Sequence, residues 1–486
     1  MTSLLWDTFR SRTSELGSRV AVSAADGDWN FDSLWSEADR LASRLTAAGV
    51  REGAVIGLAV PNTGRFVATF LALCRLNATV ALISPQYGPA EMQSVVTGTG
   101  IGCIVTDVAL AAKIGGSLPI TSSFEDSGLV FHFSGSSGDA SALGDAAVLK
   151  FSSGSTAEPK GIALTARNVI AEAENVAATF DLRPGERILA EVPMVHSYGF
   201  DLGALQTVFA GTTLMLAEPF VPRRTIAALA SGDVKMFLGV PAQYRLLLST
   251  LLTTVPSLAP TQWLLSCTAP LSPDVIQKFH ERFGTPICQH YGSSETGAVT
   301  THIPSEVLRL PSSVGRPMPG VKVTIRGDDG SLLPPGEEGE VVVSSAAVAR
   351  GYILGAPAGT TPFREGAYWM GDTGSLDEAG FLTVTGRRDF MINVGGLKVS
   401  PAEIVAVLER HPAVREAAVI GVPDGRGEQV PYAVVALRTP VDETALVALC
   451  RSSLARYKVP RRIEIREELP RTASGKVRLR PEDLSL

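Results

Sequence analysis

Three consecutive stretches near the start of the chain narrow the fold choices most. The run AVIGLAVP (Ala54 to Pro61) has strand length, TGRFVATFLALCRL (Thr63 to Leu76) carries helical spacing, and ATVALISP (Ala78 to Pro85) has strand length again. Strand-length apolar runs alternating with amphipathic helices predict a layered α/β architecture, because each sheet face needs a helix to cover it. The chain is long enough to carry more than one such core: 486 residues, 45% of them hydrophobic and 19% charged. No internal repeat or low-complexity tract interrupts the pattern.

Charge and cysteine content exclude several function classes. Lys plus Arg number 43 against 49 Asp plus Glu, a net charge of -6, so no global basic field points to nucleic acid or an anionic membrane. The five cysteines (Cys74, Cys103, Cys267, Cys288 and Cys450) are scattered without a CxxC pair, which argues against a disulfide framework or a zinc site and favours a reducing, cytoplasmic setting. Asp7, Arg10, Arg12 and Glu15 break the N-terminal segment where a secretory signal needs an apolar core. The run Phe66 to Cys74 ends at Arg75, short of the ~18 to 20 residues of a membrane span. A protein acting on small molecules, with no nucleic acid and no membrane span, is the expectation.

The stretch FSSGSTAEPKG (Phe151 to Gly161) carries the first chemistry. A β-like run, AAVLK, precedes it, and Thr165 with the AEAENVAA region reads as a capped helix behind it. A hydroxyl- and glycine-rich loop between two such elements offers backbone N–H groups and Lys160 to a phosphate. A Walker loop needs glycine directly before the lysine; Pro159 stands there, which disfavours a P-loop kinase or GTPase. Further along, GRRDFMINVGGLKVSPAE (Gly386 to Glu403) marks a boundary. Ser400, Pro401, Ala402 and Glu403 read as a capping box with proline in the first helical position. Beyond it the sequence predicts a small α+β unit: helix 401–410, strand 417–422, strand 432–437 and helix 443–456.

Taken together, the motifs resemble those of the adenylate-forming superfamily: acyl-CoA synthetases, aryl-acid ligases, luciferases and peptide-synthetase adenylation domains. Ser152, Ser153, Gly154, Ser155, Thr156, Lys160 and Gly161 fall into register with that family's phosphate loop. PMVHSYG (Pro193 to Gly199), QHYGSSE (Gln289 to Glu295), YWMGDTG with Asp372, GRRDF with Arg387 and Asp389, and PRTASGK with Lys476 follow in the family's order. The resemblance implies a large N-terminal domain, residues 1–388, binding ATP and a carboxylic acid, and a small mobile α+β domain, 389–486, acting as a lid.

It also implies roles. The loop and Lys160 would hold the β- and γ-phosphates, Glu295 a Mg²⁺ ion, Ser294 the α-phosphate, Tyr291 the adenine, and Asp372 with Arg387 the ribose. Lys476 would bridge the attacking carboxylate and the α-phosphate. His196 would line or gate the acyl pocket, with Tyr198, Thr268, Ala269 and His290 along its walls. Asp389 would be the hinge, and Gly395 and Gly396 would line the channel for a pantetheine thiol. His280, His302 and His411 are expected to be structural.

The implied activity is that of an AMP-forming acid-thiol ligase using ATP, Mg²⁺ and coenzyme A. Transfer to the phosphopantetheine of a separate carrier protein, or to an amine, is the alternative, and a silent nucleotide-binding protein a remote one. Only ten residues follow Lys476, so a carrier domain is expected in trans. The basic C-terminal stretch, with ten Lys/Arg and five Asp/Glu from Arg451 onward, suits either a nucleotide phosphate or an acidic carrier protein. Ala157 replaces the loop's second glycine, and Cys267 and Thr268 stand where many acyl ligases carry small residues, which predicts a narrower and more polar pocket. Tyr198 occupies the place of the aspartate that amino-acid-activating relatives aim at the ammonium group, with Asp201 three residues on. An aromatic or short-to-medium carboxylic acid is the expected substrate.

Overall fold

The computed structural model describes residues 3–87, 89–114, 120–134, 143–153, 159–217, 219–355, 361–388, 392–394, 397–423, 429–471, 477 and 479–484. The alternation read from the sequence becomes strand Val55–Ala59, helix Gly64–Arg75 and strand Thr79–Leu82, and the two strands pair in parallel. They lie inside an eight-stranded sheet that runs from Gly351–Leu354 at one edge to Ile120–Asp126 at the other. A second sheet of nine strands has the parallel neighbours Arg187–Ala190, Val234–Gly239, Trp263–Ser266 and Cys288–Ser293 in its middle. Helices such as Phe31–Ala47 and Ala166–Phe180 contribute Phe31, Leu34, Val169 and Phe180 to one continuous apolar core shared with both sheets. A five-stranded antiparallel sheet, built on Val321–Arg326, Gly339–Ser345 and Ala367–Leu376, completes the large part of the fold.

The remaining residues form a core of their own. Ile392, Val399, Ile404, Leu408, Val419, Val435, Leu446 and Ile463 pack together. They come from the two-stranded ribbon of Ile392–Val394 and Leu397–Val399, helices Pro401–Leu408 and Glu443–Ser453, and the three-stranded sheet of Val414–Pro423, Gln429–Leu437 and Arg462–Arg466. The architecture is thus a large α/β body followed by a smaller α+β domain, as expected.

Two local expectations need correction. The helix capped at Thr165 forms as expected, but part of the expected loop is strand: Phe151–Ser153 end the strand Ala146–Ser153, and Pro159–Thr165 is a second strand antiparallel to it. The far side of Pro159–Thr165 pairs with Gly351–Leu354, and that distant partner is what holds GIALT extended. Helix Ala166–Phe180 starts only after this strand, and its first turn is closed by its own capping box, Thr165 with Asn168. The helix at Pro401 begins where expected, but Ser400 caps nothing with its side chain. Its hydroxyl donates to the Thr385 carbonyl at 3.0 Å, and Glu403 pairs with Lys458 at 2.7 Å. Two tertiary partners outcompete the local box, and proline at the first helical position is enough to start the helix.

Candidate active site

Tyr291, Asp372 and Arg387, the positions expected to meet adenosine, converge from three separate stretches. Tyr291 lies on strand Cys288–Ser293, while Asp372 and Arg387 face each other in the register of the antiparallel pair Ala367–Leu376 and Leu382–Arg387. The Tyr291 hydroxyl donates to Asp372 Oδ2 at 2.5 Å, and Arg387 Nε sits 3.0 Å from Asp372 Oδ1. Burial, then the neighbouring Asp372 carboxylate, pushes the Tyr291 phenol well above its ordinary range, so it stays a donor at neutral pH.

A second convergence ties the phosphate hairpin to Glu295. Tyr352, on strand Gly351–Leu354, donates to Glu295 Oε1 at 2.8 Å and exchanges a 2.9 Å hydrogen bond with Tyr368. Lys160 Nζ lies 5.6 Å from the centroid of the same Tyr352 ring, within cation–π range. Tyr352 and Tyr368 were not singled out by sequence; their only signal is an aromatic on each of two strands bordering the site. Ser152 pairs with Lys160 across the hairpin. The backbone of Ser153 pairs with Pro159, and its side chain lies outside the described residues along with Gly154, Ser155 and Thr156.

The tight turn that carries Glu295 is held by its own hydroxyls. Ser293 Oγ accepts the Glu295 amide at 3.2 Å and the Thr296 amide at 3.3 Å. Ser294 reaches the other side, accepting a 2.9 Å hydrogen bond from Ser197 Oγ. That bond joins the turn to His196, which is partly buried and opens the short helix Ser197–Gly199. Among the described residues, no group of three or more His, Cys, Asp or Glu side chains is arranged to hold a metal ion. A lone carboxylate of this kind suits Mg²⁺ carried in on nucleotide phosphates, since that ion keeps its waters and takes one or two protein carboxylates.

The acid-pocket positions divide. Tyr198 and His290 are buried and their rings stack, with centroids 6.0 Å apart at 28°. Tyr198 donates to the Leu265 carbonyl at 3.2 Å. Burial holds His290 neutral, its pKa lowered to about 4, and its Nδ1 has no hydrogen-bond partner among the described residues. Thr268 and Ala269 are exposed, just past strand Trp263–Ser266, so they sit at a rim rather than in a closed wall. Thr268 adopts φ +77°, a left-handed conformation that is strained for a β-branched side chain.

Asp201 is not available to a ligand ammonium. Both its oxygens are taken by Lys150 Nζ at 2.7 Å. His302 is a core residue, fully buried with its ring 6.2 Å from that of Phe381. Lys476, Asp389, Gly395 and Gly396 lie outside the described residues.

Comparison with known proteins places the chain in a family. The family model described as AMP-binding enzyme matches residues 9–353, and that of the AMP-binding enzyme C-terminal domain matches 403–476. The chain therefore belongs to the AMP-binding, adenylate-forming enzyme family. It is 32% identical over 468 residues to an oxalate–CoA ligase of Arabidopsis thaliana, covering 91% of this chain and 90% of that one. Among solved structures, the o-succinylbenzoate CoA synthetase of Bacillus subtilis in complex with its acyl-adenylate superposes with a TM-score of 0.83. The two are 26% identical, with 98% of this chain and 97% of that chain covered. An amide bond synthetase from Marinactinospora thermotolerans gives a TM-score of 0.84 at 27% identity, over 97% of this chain and 98% of that one.

Proposed function

We propose that the chain couples ATP cleavage to thioester formation as an AMP-forming ligase of carboxylic acids and coenzyme A. In the first step a carboxylate oxygen attacks the α-phosphorus in line, pyrophosphate leaves, and an acyl-adenylate remains. In the second a thiolate attacks the acyl carbon and AMP departs. Both steps bring anions together, so positioning and charge cancellation carry most of the rate. The observation that carries this reading is the meeting of Tyr291, Asp372 and Arg387 at 2.5 and 3.0 Å from three stretches of chain.

In this reading Asp372 accepts from the ribose hydroxyls while Tyr291 offers its ring to adenine. Lys160 and the hydroxyls of Ser152, Ser153, Ser155 and Thr156, with Gly154, cradle the β- and γ-phosphates. Glu295 would hold Mg²⁺, whose charge offsets that of the phosphates, and Ser294 donates to the α-phosphate. Lys476 bridges the carboxylate and the α-phosphate, and its contacts strengthen as charge moves. The division at 388/389, with Asp389 as hinge and Gly395 and Gly396 at the thiol channel, belongs to the same reading; the separate core that begins at Ile392 supports it. A cytoplasmic setting goes with it, supported by five cysteines that form no disulfide.

The acid we infer is aromatic and lacks an α-ammonium group. The stacked Tyr198 and His290 rings offer a flat neutral wall, His196, Thr268 and Ala269 line its mouth, and Asp201 is already paired with Lys150. A second reading keeps the adenylation and transfers the acyl group to an amine, favoured by the likeness to the amide bond synthetase; a carrier-protein thiol is a third acceptor. The test is ATP–pyrophosphate exchange over aryl, short-chain and amino acids, with and without CoA, beside Lys476→Ala. Exchange driven by aryl acids, about 10²- to 10³-fold lower in the variant, with CoA thioester as product, is expected. Exchange without thioester moves the acceptor to an amine or carrier protein, and no exchange with any acid overturns the reading.

A further inference from the structure

One cluster of buried charge has no part in the roles assigned above. Lys150 lies on strand Ala146–Ser153, two residues before Ser152, and its Nζ is 2.7 Å from each oxygen of Asp201. Their side chains are only 2% and 4% exposed. Asp201 sits in a π-helical turn, Phe200–Ala204, three residues after Tyr198, and its carbonyl accepts from Gln206 Nε2 at 2.9 Å. Glu172, on helix Ala166–Phe180 and 1% exposed, feels the charges of both Asp201 and Lys150 without hydrogen-bonding to either. Its Oε1 accepts the Ala298 amide at 2.8 Å, three residues beyond Glu295, while Oε2 has no hydrogen-bond partner among the described residues. Gly297 beside it has φ +69°, and a Cβ there would collide with the Glu172 carboxylate.

Stability alone does not account for such a group. A buried ion pair replaced by apolar side chains of similar volume is often neutral or stabilising, so its retention calls for another reason. What it supplies is geometry. An ammonium held by two oxygens fixes both distance and direction, and Glu172 extends the arrangement to a third segment. Lys150 stands two residues from Ser152 and Asp201 three from Tyr198, while Glu172 holds the amide of Ala298, three residues beyond Glu295.

We propose that Lys150, Asp201 and Glu172 form a buried positioning triad that locks the phosphate hairpin, the acid-pocket turn and the Glu295 turn into one register for adenylation. The proposal rests on the reading of those three segments given above. The triad is close to neutral overall: burial raises the Glu172 carboxyl to about 8, with the Asp201 charge acting in the same direction, so a proton offsets the second carboxylate.

The experiment uses the full chain and acid-dependent pyrophosphate exchange, with kcat and the KM for ATP and for acid measured separately beside thermal melting. In the double variant Lys150→Met with Asp201→Leu, no charge is left unpaired. A melting point near wild type with kcat at least tenfold lower is expected, a split that a merely structural pair would not give. Glu172→Gln, neutral and of the same shape, should keep wild-type kcat, whereas Glu172→Leu, which drops the Ala298 contact, should lose at least tenfold. A folded double variant with wild-type kcat and KM overturns the proposal. If the double variant does not fold, the Glu172 pair decides: Gln above Leu supports the triad, and equal kcat in the two overturns it. Failure of the functional reading looks different, because wild type itself would then exchange with no acid, removing the triad's proposed role with it.

Discussion

The two ion pairs at this site use the same chemistry in opposite surroundings. Arg387 with Asp372 leaves the arginine side chain 50% and the aspartate 13% exposed, whereas Lys150 with Asp201 is 2% and 4% exposed. An exposed pair is screened by water, adds little to stability and stays free to rearrange around a ligand. A buried pair has given up its hydration and cannot lose one partner without stranding the other. The first suits the ribose contact proposed for Asp372 and Arg387; the second suits a fixed frame. The contrast teaches that charge at this site does two jobs, and exposure tells them apart.

The sharpest way to break that contrast is Lys150→Met alone. It strands Asp201 in the core, and about 3–5 kcal/mol of folding stability should go, read by urea denaturation. The matching change on the exposed side, Arg387→Ala, should move the same curve by less than about 1 kcal/mol. A Lys150→Met curve that overlays wild type would mean that Asp201 is not left as an unpaired charge in the core.

The same frame has a pH signature, smaller than the loss of Lys150. The groups facing Glu172 are Asp201, Lys150 and the Ala298 amide; burial, then the Asp201 charge, lifts its folded pKa to about 8 from an ordinary 4.5. Between those values the unfolded chain has released a proton that the folded chain keeps, so folding takes up a proton there. Stability should fall as pH rises from about 4.5 to 8, and this contribution levels off above that. Denaturation midpoints of wild type and Glu172→Gln across that window test it: the variant should show a shallower slope, and parallel slopes would reject the protonated Glu172.

The exposed pair should announce itself in binding. Asp372→Ala removes an ionised acceptor, a loss of about 1.5–3 kcal/mol, or roughly 10- to 100-fold in affinity for ATP. Calorimetric titration with ATP measures it, and an unchanged affinity would take Asp372 out of the nucleotide site.

These residues also mark how far the sequence could be read. The layered fold was legible because each strand and helix near the N-terminus carries its own period, and Pro401 started a helix on local grounds alone. Tyr291, Asp372 and Arg387 came from ordered motifs, and the structure gathers them. What stayed hidden depends on partners far along the chain. Strand Pro159–Thr165 is held by residues near Tyr352, the hydroxyl of Ser400 goes to Thr385 rather than to its own helix, and Lys150 meets Asp201 across 51 positions. A lysine inside the apolar run AAVLK was the one visible sign that a buried counter-charge must exist.

The smallest effect concerns the pocket's rim. Thr268 holds φ +77°, which L side chains with a branched Cβ adopt at a cost of about 1–2 kcal/mol. Glycine removes that strain but gives the unfolded chain more freedom, worth about 0.4–1 kcal/mol in the opposite direction. Thr268→Gly should therefore change stability by under about 1.5 kcal/mol, in the stabilising direction, since the strain relieved exceeds the freedom gained. Because the side chain is exposed at the mouth rather than packed in the wall, its removal should lower KM for bulkier aryl acids while leaving kcat for small ones unchanged. A melting temperature that falls, or a KM that rises equally for every acid, would mean that Thr268 holds the rim in place and does not narrow it.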